Sequence, residues 1–329
     1  MTRPDDALAR TVVDLGVGGV FLSESNVESA DQVRALVGGL QAGSNRPLLV
    51  SADEESGRVA VSELLVDAGP SPRKLAERST PEEVRTYAAG IGADLVDVGV
   101  NLDLAPLLDL DDGPWGGIIG DRSFSADPEV AARYGLAFSA GLTDAGVTPT
   151  MKHFPGHGRS VTDTHAEAAT VETPLEELAA TDLLPFQRAI DAGAPVIMLN
   201  HLEYAALDPE LPASLSPQAY TLLREMGFEG VAMTDSLGMG AINLRWDFPE
   251  AAVLAVAAGA DAVLATDGNQ AVRMRDALAE AVDSGQLPEE RLNEAAARVT
   301  ALAGGDPMTM SCVDATLPAL SAGLGPADM

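Results

Sequence analysis

Seven short apolar runs, each ending on a polar or charged residue and each separated from the next by a helical segment, constrain this chain most. The runs cover residues 18–22, 47–52, 98–104, 147–151, 196–200, 230–234 and 262–265. They are continuously apolar and do not alternate, as expected of strands buried on both faces of a parallel sheet. Helices are predicted near 5–15, 31–40, 80–98, 128–145, 173–191, 216–227, 246–258, 270–284 and 288–303. Thr80-Pro81-Glu82-Glu83 carries the grammar of a helix start: a threonine cap, proline at the first helical position and glutamate at the third. Thr173-Pro174-Leu175-Glu176 repeats it.

Strand–helix alternation fits a doubly wound sheet or a (β/α)8 barrel. The residues that follow the runs favour the barrel. Asp53, Asp103, Lys152-His153, His201 and Asp235 would meet at one mouth in a barrel, but would be strung along an edge in an open sheet. No glycine-rich phosphate fingerprint follows the first run, which argues against a dinucleotide site. The expected fold is therefore α/β: a single (β/α)8 TIM-type barrel domain over residues 1–305, with an irregular tail at 306–329. An eighth strand would precede the helix at 5–15, and the chain starts too late to supply it. The expectation is a barrel lacking its first strand, with a gap between the first and last strands, exposed backbone edges and low stability.

The fourth run leads into Lys152-His153-Phe154-Pro155-Gly156-His157-Gly158 and then Asp163-Thr164-His165, placing three of the four histidines within thirteen residues. Pro155, Gly156 and Gly158 break any helix there, so a shaped loop displays imidazoles and a carboxylate. Asp163 and His165 are two apart, and an extended loop lets both point the same way. A carboxylate on one ring nitrogen fixes the tautomer and raises the basicity of the other, which makes a dyad able to move a proton near neutral pH. Asp235 ends its strand as a nucleophile or charge stabiliser, with capping of the next helix as the plainer role. His157, between two glycines, reads as a loop brace. A metal site is disfavoured: the proline and glycine between His153 and His157 deny them a shared helical face, so neither metal nor cofactor is expected.

The balance of 20 basic against 50 acidic residues gives a net charge of −30. Such a surface repels a phosphate backbone or an anionic membrane, which excludes nucleic-acid partners. One cysteine, Cys312, permits no internal disulfide. No run is long enough to span a bilayer, and residues 1–10 have no apolar leader core. The expectation is a cytoplasmic monomer, or a secreted or lipid-anchored one if a leader precedes Met1.

The Lys152–Gly158 block with Asp163-x-His165, together with Gly120-Asp121-Arg122-Ser123-Phe124 and Thr234-Asp235-Ser236, resembles family 3 glycoside hydrolases of the bacterial β-N-acetylglucosaminidase branch. The resemblance runs from about residue 15 to 303. It implies a barrel and a retaining glycosidase that removes terminal β-linked N-acetylglucosamine from peptidoglycan-derived or related amino sugars. It also implies roles: Asp235 as nucleophile, His165 as acid/base, Asp163 as its orienting partner, and Asp53, Arg122, Lys152 and His153 as holders of the sugar hydroxyls. A histidine in place of one of the usual two carboxyls does not repel an anion near the anomeric centre. Phosphate as acceptor therefore stays open beside water. So do a β-glucosidase-like specificity and a truncated barrel that binds sugar without turnover. The chain departs from the family pattern where Glu-Gly-Gly-Arg reads Glu55-Ser56-Gly57-Arg58, and where an arginine three residues later is Val61, which predicts one sugar contact fewer.

Overall fold

The computed structural model describes residues 1–67, 69–111, 113 and 117–309. Ten strands form among the described residues: β1 (Gly19–Leu22), β2 (Leu49–Ala52), β3 (Leu102–Asp103), β4 (Thr148–Phe154), β5 (Thr170–Val171), β6 (Val196–Leu199), β7 (Glu203–Tyr204), β8 (Asp208–Pro212), β9 (Val231–Ser236) and β10 (Ala262–Leu264). Seven of them make one sheet in the order β1-β2-β3-β4-β6-β9-β10. Every neighbouring pair in it is parallel. These are the seven apolar runs of the sequence, curled into a nearly closed TIM-type barrel. Among the described residues β1 and β10 are not hydrogen-bonded to each other, so the barrel stays open between them.

The floor of that opening is filled from elsewhere. Val299, Leu302 and Ala303, at the end of the helix Glu289–Leu302, pack with Phe21 of β1 and Leu264 of β10 against the inward residues Leu49, Leu102, Val196, Met198, Val231 and Met233. The same helix is pinned by charge. Asp261, whose carboxylate is fully buried just before β10, accepts from Arg224 (2.6 Å), Arg291 and Arg298 (3.1 Å) and from the backbone N–H of Ala232 (3.0 Å). Two larger apolar clusters fill the space between the sheet and its surrounding helices.

Local chemistry explains the element boundaries. The Thr80 hydroxyl accepts from Glu83 N–H, and Glu83 Oε2 accepts from Thr80 N–H at 2.7 Å, which starts the helix Pro81–Asp97 as its sequence demands. Thr173 makes no such cap. Its helix starts at Leu175 and breaks at Thr181–Asp182 into Leu175–Ala180 and Leu183–Asp191. At the break the buried Asp182 carboxylate takes Arg159 Nε at 2.9 Å and the Thr181 hydroxyl at 2.8 Å, contacts that a continuous helix would not present. The strand expected from residue 98 starts only at Leu102, because Val98 closes the preceding helix and donates back into it. The strand expected to stop near Lys152 runs on to Phe154. The small sheet β5-β7-β8 has no counterpart among the apolar runs; its strands are two to five residues long and carry no periodic signal. Of the 306–329 tail, a short turn at Pro307–Thr309 is described, and residues 310–329, Cys312 among them, lie outside the described residues. No helix among the described residues is long and apolar enough to cross a membrane.

Candidate active site

The polar residues that close the barrel strands do meet at one mouth. Lys152 lies in β4, and strict alternation would send His153 to the other face. The pairing of β4 with β6 shifts register between Lys152 and Phe154, and the charges of both residues act on Asp235. Lys152 Nζ, almost wholly buried, bonds Asp53 Oδ1 and Glu55 Oε1 at 2.6 Å each. Arg122 clamps the same Glu55 with two parallel bonds of 2.7 Å. Two cations thus share two carboxylates, and Asp53 keeps about a third of its side chain open to solvent.

The shared charge sets the protonation states. Burial alone would push Glu55 up, but Arg122 and Lys152 outweigh it and bring it down to about 2. Burial likewise works against the Lys152 ammonium, and Asp53 and Glu55 reverse that, holding it well above the usual lysine range. Glu54, one residue earlier, has no cation. Burial pushes it up to about 8, only partly opposed by the N–H of Val61, which its Oε2 accepts at 3.1 Å. Asp103 beneath it is raised too, by burial and by Glu54, and its Oδ2 has no partner.

Glu54 therefore carries a proton at pH 7, with a stability consequence of fixed sign. Between the ordinary glutamate value and about 8, the unfolded chain releases a proton that the folded chain keeps, so folding weakens as pH rises. Glu54→Gln keeps an oxygen for Val61 N–H and removes the titration. Thermal melts are expected to show the variant gaining on the parent from pH 5 to pH 8. A difference that stays constant across that range would refute the assignment.

Asp235, near the end of β9, is partly buried and takes the N–H of Ser236 on Oδ1 at 2.7 Å. Burial disfavours its charge, but His201, His153 and Lys152 around it hold its carboxyl below the usual range. It is ionised at neutral pH, as a nucleophile must be. His201 is fully buried and kept neutral by that burial. Its Nε2 donates to Ser236 O at 2.9 Å and its Nδ1 accepts from Ser214 Oγ at 2.7 Å, which ties down the strand end that carries Asp235.

Asp163 and His165 pair as their spacing predicts: Nδ1 of His165 lies 2.8 Å from Asp163 Oδ1, which also accepts the His165 N–H at 3.0 Å. Unlike the rest of the site the pair is exposed, with 72% of the His165 side chain open. Its backbone is anchored. His165 O accepts from Gly240 N–H (2.9 Å) and Thr164 O from Ala241 N–H (3.1 Å), in the turn that leaves Asp235. At the loop's other end Gly158 runs so close to Leu110 that a Cβ would lie 1.7 Å from its carbonyl oxygen. His157 is the expected brace, with Nε2 3.2 Å from Thr164 Oγ1, and burial lowers its ring to about 4.

The structure thus brings Asp53, Arg122, Lys152, His153 and Asp235 together and sets Asp163 and His165 on an adjoining surface loop. Two buried carboxylates join the site without having stood out in the sequence. Glu55 opens the Glu55–Arg58 motif, but its partners lie 67 and 97 residues away. Asp109 follows β3 and bonds the ring of His153 at 2.6 Å. A Pro-Leu-Leu-Asp run just beyond a strand was the available signal. The two departures from the family pattern have structural answers. Ser56 adopts φ 70°, a conformation natural to glycine, and its hydroxyl bonds Pro70 O (2.7 Å) and Tyr87 Oη (2.8 Å). Val61 is buried in the core, and the remaining Arg58 spends its guanidinium on Asp121 and the carbonyls of Gly117 and Ile119. No group of three or more His, Cys, Asp or Glu among the described residues is placed to hold a metal ion.

Comparison with known proteins agrees with this geometry. The chain is 36% identical over 313 residues to the β-hexosaminidase LpqI of Mycobacterium tuberculosis, covering 92% of this chain and 80% of that one. A crystal structure of a family 3 glycosyl hydrolase from Mycobacterium smegmatis superposes with a TM-score of 0.84 at 38% identity, covering 90% of this chain and 92% of that one. A family 3 β-N-acetylglucosaminidase from Paenibacillus superposes with a TM-score of 0.87 at 35% identity, covering 97% of this chain and 63% of the other. The family model described as the glycosyl hydrolase family 3 N terminal domain matches residues 1–302, nearly the whole described barrel. Matched over that length, with its charged residues gathered at the mouth, the chain belongs to glycosyl hydrolase family 3 and is a glycosidase.

Proposed function

We propose that the protein removes terminal β-linked N-acetylglucosamine from amino-sugar substrates, peptidoglycan fragments among them, with retention of configuration. The observation that carries this reading is the ionised Asp235 carboxylate, set at the end of a barrel strand among Lys152, His153 and His201. Asp53 and Lys152 meet the sugar hydroxyls as acceptor and donor, with Arg122 as a further donor and His153 as an acceptor through the ring nitrogen that faces away from Asp109. Asp235 attacks the anomeric carbon as the glycosidic C–O bond breaks, and His165 Nε2 gives its proton to the leaving oxygen. Asp163 on Nδ1 keeps the ring in the orientation and tautomer this requires. Water then attacks the same carbon, its proton passes to His165, and the Asp235 carboxylate is released. The relatives called β-hexosaminidase and β-N-acetylglucosaminidase support the choice of sugar.

His165→Ala is expected to lower kcat/KM by roughly 10²- to 10⁴-fold on a substrate whose leaving group needs protonation, the range for one general acid/base. The loss in the glycosylation step should be much smaller for a nitrophenyl β-N-acetylglucosaminide, whose leaving group departs without a proton. Equal losses for good and poor leaving groups, measured in that step, would remove His165 from the acid role.

A further inference from the structure

We propose that Asp109 is the positioning residue for His153: it fixes Nδ1 as the protonated ring nitrogen and thereby makes Nε2 the nitrogen offered to the sugar. This rests on the glycosidase reading of the site, in which His153 touches substrate. The geometry is one-sided. Asp109 Oδ2 lies 2.6 Å from His153 Nδ1, its shortest contact, and Oδ1 accepts the backbone N–H of His157 at 2.6 Å, while the His153 N–H is shared between Oδ1 (3.2 Å) and Oδ2 (3.3 Å). The side chain is fully buried, so no water competes for it. An ionised carboxylate only accepts, so a 2.6 Å contact requires the hydrogen to sit on Nδ1. Burial opposes that ionisation, but the His153 ring and the His157 N–H bring the carboxyl below its usual range. Among the described residues the His153 ring forms its hydrogen bond through Nδ1, which leaves Nε2 for a ligand.

The placement of Asp109 is also built in. The segment after β3 bridges onto β4 at Leu107 and Lys152, and Leu108 N–H donates to Lys152 O at 2.7 Å. The carboxylate is thereby registered against the strand that carries both Lys152 and His153. A purely structural account, in which Asp109 only pins the loop through backbone N–H groups, is met by Oδ1, which accepts both N–H groups, with the His153 N–H shared to Oδ2 at 3.3 Å. The contact to Nδ1 is surplus to it.

Asp109→Asn separates the two accounts. Its amide oxygen keeps the Oδ1 position, because the reverse orientation would set an NH₂ against the His157 N–H at 2.6 Å. The amide nitrogen then faces Nδ1, and the imidazole relieves the donor–donor contact by moving its proton to Nε2. Long-range ¹H–¹⁵N spectra of histidine-labelled protein, with His153 assigned through His153→Gln, are expected to show Nδ1–H in the parent and Nε2–H in the variant. Turnover of a chromogenic β-N-acetylglucosaminide should fall about 10²-fold in kcat/KM, a smaller loss than the wrong tautomer causes in a catalytic triad. In the His153→Gln background the same substitution should cost less than about twofold, because its route of action is gone. An Nε2–H ring in the parent, an unchanged tautomer in the variant, or full additivity with His153→Gln would overturn the proposal. The parent spectrum decides even if the variant does not fold. The spectra are independent of turnover, so an inactive parent would sink the glycosidase reading without touching the tautomer result.

Discussion

Asp235→Asn is expected to cut turnover of a β-N-acetylglucosaminide by about 10⁴-fold or more, the scale on which nucleophile deletions fall. The substitution is nearly isosteric. It keeps an oxygen for the single local bond that Asp235 makes, to Ser236 N–H at 2.7 Å. It also leaves Lys152 neutralised, since Asp53 and Glu55 bond its ammonium directly. On the proposed mechanism the residues that would meet the sugar therefore survive, while the electron pair that would attack it is gone. Calorimetry should show N-acetylglucosamine bound to the variant within a few fold of the parent affinity, beside a collapse in kcat. Turnover within tenfold of the parent would remove Asp235 as nucleophile. A parent that binds the sugar but releases no chromophore would favour a barrel that binds without turnover.

The second large effect is on stability and lies at the opposite end of the barrel. Asp261→Ala leaves Arg224, Arg291 and Arg298 converging on a space with no anion. Removing one partner of a buried ion cluster costs about 3–5 kcal/mol, because the remaining charges lose their solvent and their counter-ion together. The arginines are part-exposed, and Glu294 still neutralises Arg291 and Arg298, so the low end of that range applies. The cost also propagates. Arg291 and Arg298 belong to the helix whose Val299, Leu302 and Ala303 fill the floor between β1 and β10. Denaturant titration should show a midpoint lowered in proportion and, if the helix lifts away, aggregation through the two uncovered strand edges. A midpoint unchanged within error would mean that the apolar plug holds the helix without the charge cluster.

These two sites differ in how far the sequence revealed them. All seven barrel strands could be read, because a strand buried on both faces is apolar along its length until the charged residues near its mouth end. Lys152, His153, Asp53, Arg122 and Asp235 could be read for the same reason: each closes such a run or sits in a distinctive motif. Glu55 could not be assigned, because its role is a relation between Arg122 and Lys152 that exists only after three strands have come together. Asp109 was hidden because two of its contacts are to backbone N–H groups, which every residue carries. The break at Thr181 was hidden because the pull on Asp182 comes from Arg159, on another loop. The plug of the barrel floor was hidden as well, since Val299 and Leu302 follow ordinary helical spacing and nothing in it says what they cover.

The backbone bonds between the His165 loop and the turn after Asp235 have one further consequence. A Cβ on Gly240 would lie 2.7 Å from His165 O and 2.5 Å from Ala166 O, so the approach depends on a missing methyl group. The spacing of the His165 backbone from the strand end that carries Asp235 is thus written in main-chain geometry and one glycine. The exposed side chains of the loop are free to drift without changing it. Substitution of those side chains would leave the two main-chain bonds, and with them the seat of the His165 loop, in place.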